Sequence, residues 1–106
     1  MSRIIVYDKL IRDKIPQIIE SHGKTCEVSV LSDQEFKKYL YKKLQEEVNE
    51  FLADDSIEEL ADITEVIHGI LKLKNTSPED LEDIKLKKLK ERGGFDKKFL
   101  LRKVVD

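Results

Sequence analysis

Two short acidic runs are the part of this sequence best equipped for chemistry: Glu46-Glu47-Val48-Asn49-Glu50, and after it Glu59-Leu60-Ala61-Asp62. Glu47 and Glu50 are three apart, as are Glu59 and Asp62, so on helices each pair projects from one side. Glu47 falls three residues after Leu44 and four before Phe51. Asp62 precedes Ile63 by one and Val66 by four, so both acids border apolar stripes. Two carboxylates about 6 Å apart repel by roughly 3 kcal/mol at an effective dielectric of 20, and four beside a core edge call for protons or a cation. An all-oxygen set without cysteine or a suitably placed histidine favours Mg²⁺, or Mn²⁺, over Zn²⁺. Acids at helical spacing also make up ordinary solvated faces, and Glu59 has a possible capping role. The argument for a metal is their position on the inner border of a hairpin. Lys88 and Arg92, four apart, are of a type that holds phosphate oxygens, and equally of a type that simply faces water.

The elements that must position these groups follow from caps and periodicity. Ser32 with Glu35, Ser56 with Glu59 and Ser77 with Asp80 each place a hydroxyl three residues ahead of an acid, the pattern of a capping box. Pro78 strengthens the third, because a helix's first turn needs no N–H there. The first helix expected from these caps runs from Ser32 to about Leu52 on Phe36, Leu40, Leu44 and Val48. The next runs from Ser56 to about Lys74 and is apolar over a wide arc, which predicts the most buried element. Only Ala53-Asp54-Asp55 separates them, so they form an antiparallel hairpin that brings the two acidic runs together. A further helix spans Ser77 to about Arg92 and stops at Gly93-Gly94. A short one, capped by Asp13, carries Ile15, Ile18 and Ile19 and ends at Gly23. The stretches 4–6, 27–31 and 99–105 read as short extended pieces.

Composition agrees with helices. Of 106 residues 40% are charged and 40% hydrophobic, with 4 Gly and 2 Pro, which favours an all-α chain in one domain spanning 1–106. The balance of 20 Lys+Arg against 22 Asp+Glu, net −2, argues against a DNA or RNA polymer as partner. A single cysteine, Cys26, makes no internal disulfide and reads as a half-buried thiol. No segment has the length of apolar residues that a membrane span needs, and the apolar run at the N-terminus is too short for a signal peptide. The expectation is a soluble, cytoplasmic protein that gains from association with copies of itself.

With these elements placed, the sequence resembles the MazG-like all-α nucleoside triphosphate pyrophosphohydrolases, relatives of phosphoribosyl-ATP pyrophosphohydrolase and of dimeric dUTPases. Tyr7-Asp8-Lys9-Leu10-Ile11-Arg12-Asp13-Lys14-Ile15-Pro16 is similar to the N-terminal block of one small subgroup, and Arg92-Gly93-Gly94-Phe95 to its C-terminal block. Glu46-Glu47-x-x-Glu50 and Glu59-x-x-Asp62 match the family's EExxE and ExxD motifs. The resemblance implies a four-helix bundle and a homo-dimer or tetramer with sites near the subunit interface. It also implies Mg²⁺ held by Glu47, Glu50, Glu59 and Asp62. Glu46 would orient a ligand or the attacking water, and Lys88 and Arg92 would bind the triphosphate of a nucleotide substrate. The gap between Glu50 and Glu59 is shorter than is usual in the family, which implies a narrower pocket or a different number of metals.

Other polar and aromatic residues take plainer readings. His68 lies within the apolar helix as a hydrogen-bonded structural residue, and His22 favours a helix end. Arg12 and Lys14 suit surface pairing as well as a partner subunit's phosphate site. Phe36 belongs to the core stripe, and Tyr39 and Tyr41 stand in no supporting motif. Rivals to nucleotide hydrolysis are phosphoribosyl-ATP hydrolysis, which shares the metal motifs, and a non-catalytic helical module that binds a nucleotide or a partner.

Overall fold

The computed structural model describes residues 3–106. Its elements are α1 (Ile15–Ser21), α2 (Asp33–Asp54), α3 (Ile57–Leu73) and α4 (Pro78–Arg92), with no strand among the described residues. The chain is all-α, as composition and periodicity require. It divides into two compact units, one ending at Asn75 and the other beginning at Thr76.

In the first unit α2 packs against α3 as the expected hairpin. Ser32 caps α2, its hydroxyl accepting from the Glu35 N–H at 3.3 Å. Glu35 answers side chain to side chain, its Oε1 accepting from Ser32 Oγ at 3.1 Å. The helix continues to Asp54 and closes on Asp55. That residue takes the left-handed conformation at φ 52°, and its N–H donates to the Phe51 carbonyl at 2.7 Å. Aspartate tolerates this region better than most residues, so the chain reverses with only Asp55 and Ser56 between the helices. Leu40, Val66 and Leu71 are the buried apolar residues, and Glu47 is buried with them. Gly69 allows the close crossing: a Cβ there would stand 3.0 Å from Leu40 Cδ2.

Two details of the helix starts differ from the sequence reading. Ser56 has the extended backbone of an N-cap, but its side chain makes no cap hydrogen bond, and the Glu59 carboxylate that would supply the return leg lies with Glu47 and Glu50 instead. At α1 the N-cap is Lys14, without a side-chain cap, and not Asp13. The chain enters that helix through a turn in which the Ile15 N–H donates to the Arg12 carbonyl at 3.1 Å. Its far end is as expected: Gly23 sits at φ 75°, its N–H donates to the Glu20 carbonyl, and the Lys24 N–H donates to the Ile19 carbonyl, a Schellman closure.

In the second unit α4 carries the full Ser77–Asp80 capping box with Pro78 in its first turn. It ends at Gly93, φ 82° and ψ 178°, a region open essentially to glycine alone. Leu81, Ile84, Leu86 and Leu89 remain exposed along it. The stretches 4–6, 27–31 and 99–105 are irregular and join no ladder. Their apolar side chains are largely exposed, Val30 fully so, and no neighbouring strand offers them backbone partners.

Candidate metal centre

Glu47 follows Leu40 by two helical turns, so it shares the face that α2 turns toward α3. The sequence puts it at the border of the apolar stripe. The structure puts it inside, with 7% of its surface exposed. Glu50, one turn further along α2, is exposed. Glu59, in the first turn of α3, is half-buried. The hairpin brings these three together: each offers a carboxylate oxygen within 4.8 Å of the others.

The electrostatics of the trio are unbalanced. Burial pushes the Glu47 carboxyl above its ordinary value, and the Glu50 charge adds to the shift. Lys43, one turn earlier with Nζ 3.5 Å from Glu47 Oε1, works against it. Glu59 is raised too, by desolvation first and then by the charges of Glu50 and Asp62. Glu47 Oε2 and Glu59 Oε2 are buried without any hydrogen-bond partner. Two buried acceptors on facing helices without a donor, both in carboxyls that resist ionising, make an arrangement that a proton or a cation would stabilise.

Asp62, the fourth expected ligand, stands close enough to raise both of these carboxyls. Its own Oδ1 is occupied: Arg12 Nη2 donates to it at 2.8 Å. Both side chains are about half exposed, 58% and 42%, so this pair is weak and exchangeable. Glu46 is half-buried and is not one of the three converging acids. Lys88 and Arg92 lie one turn apart on α4, in the second unit, and both are exposed.

The sequence reading undervalued the basic side of this site. A cleft of about 280 Å³ is lined by Lys9, Ile11, Arg12, Ile15, Lys43, Glu47 and Asp62. Lys43 was legible from its four-residue spacing to Glu47. Lys9 and Arg12 come from an irregular segment whose path no periodicity reports. Cys26 is half-buried with Sγ 4.0 Å from the Pro16 carbonyl and His22 caps α1, as expected. His68, by contrast, is not the hydrogen-bonded structural residue expected: it lies on the exposed side of α3, its Nδ1 4.0 Å from Glu65, too far for a hydrogen bond. None of these offers nitrogen or sulfur to the trio, which leaves a hard, oxygen-only donor set suited to Mg²⁺ or Mn²⁺.

No protein family matches the chain in a comparison with family profiles, and no solved structure matches it. An uncharacterised protein of Mycolicibacterium smegmatis is similar to it, 44% identical over 48 residues, which are 45% of this chain and 49% of that one. The chain therefore spans about half the length of this relative. No helix among the described residues is long and apolar enough to cross a membrane.

Proposed function

We propose that this chain hydrolyses nucleoside triphosphates to the monophosphate and pyrophosphate in a Mg²⁺-dependent reaction, as its resemblance to the MazG-like pyrophosphohydrolases implies. The observation that carries the reading is the convergence of Glu47, Glu50 and Glu59 with two buried, unpartnered oxygens. Those residues would hold the metal, with Asp62 as a fourth ligand once it leaves Arg12. A bound Mg²⁺ supplies neutralisation of the phosphates and a more acidic water. In the proposed reaction water adds to the α-phosphorus, the α–β bridging P–O bond breaks, and pyrophosphate departs. Glu46 orients a ligand or the attacking water, and a carboxylate of the cluster takes the water's proton. The assignment of Lys88 and Arg92 to the triphosphate rests on the sequence resemblance alone.

A homo-dimer or tetramer belongs to the same reading. Ile57 and Leu60 on α3, and Leu81, Ile84, Leu86 and Leu89 on α4, are exposed apolar side chains of the kind subunit packing covers. Nucleotide-pool housekeeping in the cytoplasm is the role that fits a small enzyme of this type.

The test is pyrophosphate release from a panel of common, deoxy and oxidised nucleoside triphosphates and phosphoribosyl-ATP, with Mg²⁺, beside the Glu47→Ala variant. Release by the native protein that vanishes in the variant supports the reaction and ranks the substrates. No release from any of them, by protein shown to be folded, overturns it in favour of a module that binds nucleotide or partner without hydrolysis.

A further inference from the structure

The cleft beside the carboxylates brings three cations to the edge of the acidic trio. Lys9 and Arg12 from the N-terminal segment and Lys43 from α2 line it, over Ile11 and Ile15. Glu47 and Asp62 are its acids. Each engages one cation, Lys43 at 3.5 Å and Arg12 at 2.8 Å, and the Lys9 ammonium rests 5.2 Å from the Tyr7 ring centroid. Glu47, over nine-tenths buried, lines this cleft as well, and its Oε2 has no partner. An anionic ligand that brings a divalent cation with it would satisfy both halves at once.

We propose that this cleft seats the polyphosphate of the substrate and that Arg12 is an exchangeable clamp. In the free protein Arg12 holds Asp62. When a Mg²⁺–polyphosphate enters, the guanidinium transfers to phosphate oxygens, which it can grip through two parallel N–H bonds, and Asp62 is released to join Glu47, Glu50 and Glu59 around the cation. The exchange costs little because the Arg12–Asp62 pair is half solvated. Lys9 and Lys43 add point charges, and the two isoleucines thin the water around them. The inference deepens the pyrophosphohydrolase reading and rests on it for the identity of the ligand as a nucleotide polyphosphate.

An exchange of this kind couples the two ligands with a sign that a purely structural ion pair would not give. Arg12 opposes Mg²⁺ binding alone, since it occupies Asp62 and adds a positive charge, yet it favours Mg²⁺ together with polyphosphate. Titration calorimetry with Mg²⁺ alone, and then with inorganic pyrophosphate at saturating Mg²⁺, separates these effects. For Arg12→Ala the expected result is pyrophosphate affinity lower by about ten- to a hundredfold, the range of a charged hydrogen bond, while affinity for Mg²⁺ alone is unchanged or higher. Arg12→Lys restores part of the pyrophosphate affinity, and Asp62→Ala, which removes the acceptor that holds Arg12, does not weaken pyrophosphate binding measured without Mg²⁺. Lys14→Ala, a neighbouring cation outside the cleft, leaves both affinities as they were.

A parallel fall of Mg²⁺ and pyrophosphate affinity in Arg12→Ala, with a lowered melting temperature, overturns the clamp in favour of a structural pair. Unchanged pyrophosphate affinity overturns it outright, even where the native protein hydrolyses nucleotides. Arg12-dependent pyrophosphate binding without any hydrolysis sinks the catalytic reading instead and leaves the cleft as a polyphosphate-binding site.

Discussion

Glu47 and Glu59, one from each arm of the helical hairpin, both bury an Oε2 atom that no donor reaches. The pair makes the folded protein hold protons more tightly than the unfolded chain does, since both carboxyls are raised above the ordinary 4.5. Stability therefore falls as pH rises through and above that ordinary value, and the stabilisation that protonation gives is lost once pH passes the raised folded-state values. In EDTA the melting temperature should climb as pH is lowered from about 7 towards about 5. Saturating Mg²⁺ should flatten the climb by neutralising the same charges. Calorimetric melts across this window check the point, and a metal-free profile that falls on acidification contradicts it.

Replacing the charge while keeping the shape separates cost from function. Glu47→Gln removes a buried carboxylate that Glu50 repels and Lys43 only partly compensates. Without metal at neutral pH the variant should be more stable than the native protein, by up to roughly 3 kcal/mol from relieved repulsion. It should also lack the stabilisation that the proposed Mg²⁺ site would give the native chain, about 2.7 kcal/mol for a site at a hundred times its Kd. Urea denaturation with and without Mg²⁺ reads both effects. A variant that is less stable in EDTA and keeps its Mg²⁺ response would mean that Glu47 is not a ligand.

The hairpin crossing depends on a residue that drew no attention in the sequence. A Cβ on Gly69 would meet Leu40 Cδ2 at 3.0 Å, and Leu40, 3% exposed, has little room to withdraw. Alanine gains about 1 kcal/mol of helix propensity over glycine, but overpacking costs about 1–3 kcal/mol. Gly69→Ala should therefore come out near neutral to about 2 kcal/mol destabilised. Leu40→Ala alone should cost about 2–5 kcal/mol. The double variant should cost less than the sum, because the new methyl partly fills the space that leucine leaves. Strict additivity in denaturation would show that the two residues do not touch.

These cases mark how far the sequence reaches. Periodicity and caps were enough for α2 and α4, and periodicity for α3, because each depends on neighbours along the chain. The reversal is tighter than the expected Ala53-Asp54-Asp55 connection, with α2 running on through Asp54. The convergence of Glu47, Glu50 and Glu59 followed from the hairpin, since a short connection leaves two helices little choice of partner. Lys9 and Arg12 were not legible as parts of the cleft. They sit on an irregular segment, where no repeat fixes direction and only the folded path brings them to Lys43 and Asp62. The extended readings of 4–6, 27–31 and 99–105 came from β-prone residue types, which make a ladder only when a second strand is present to receive it.

The start of α3 offers the sharpest contrast between pattern and structure. Ser56 and Glu59 have the spacing of a capping box, as do Ser77 and Asp80, yet only Ser77 closes one. At Ser56 the acid is drawn into the cluster with Glu47 and Glu50, and the hydroxyl has no cap bond to lose. Ser77→Ala should thus destabilise the first turn of α4 by about 1 kcal/mol, while Ser56→Ala should change the first turn of α3 by no more than a few tenths. Amide hydrogen exchange resolves the two turns separately. The difference should persist in Mg²⁺, because a cation would engage the Glu59 carboxylate and not the backbone N–H that a Ser56 cap would use. A loss of protection at α3 in Ser56→Ala as large as that at α4 in Ser77→Ala would show that the Ser56 hydroxyl caps its helix after all.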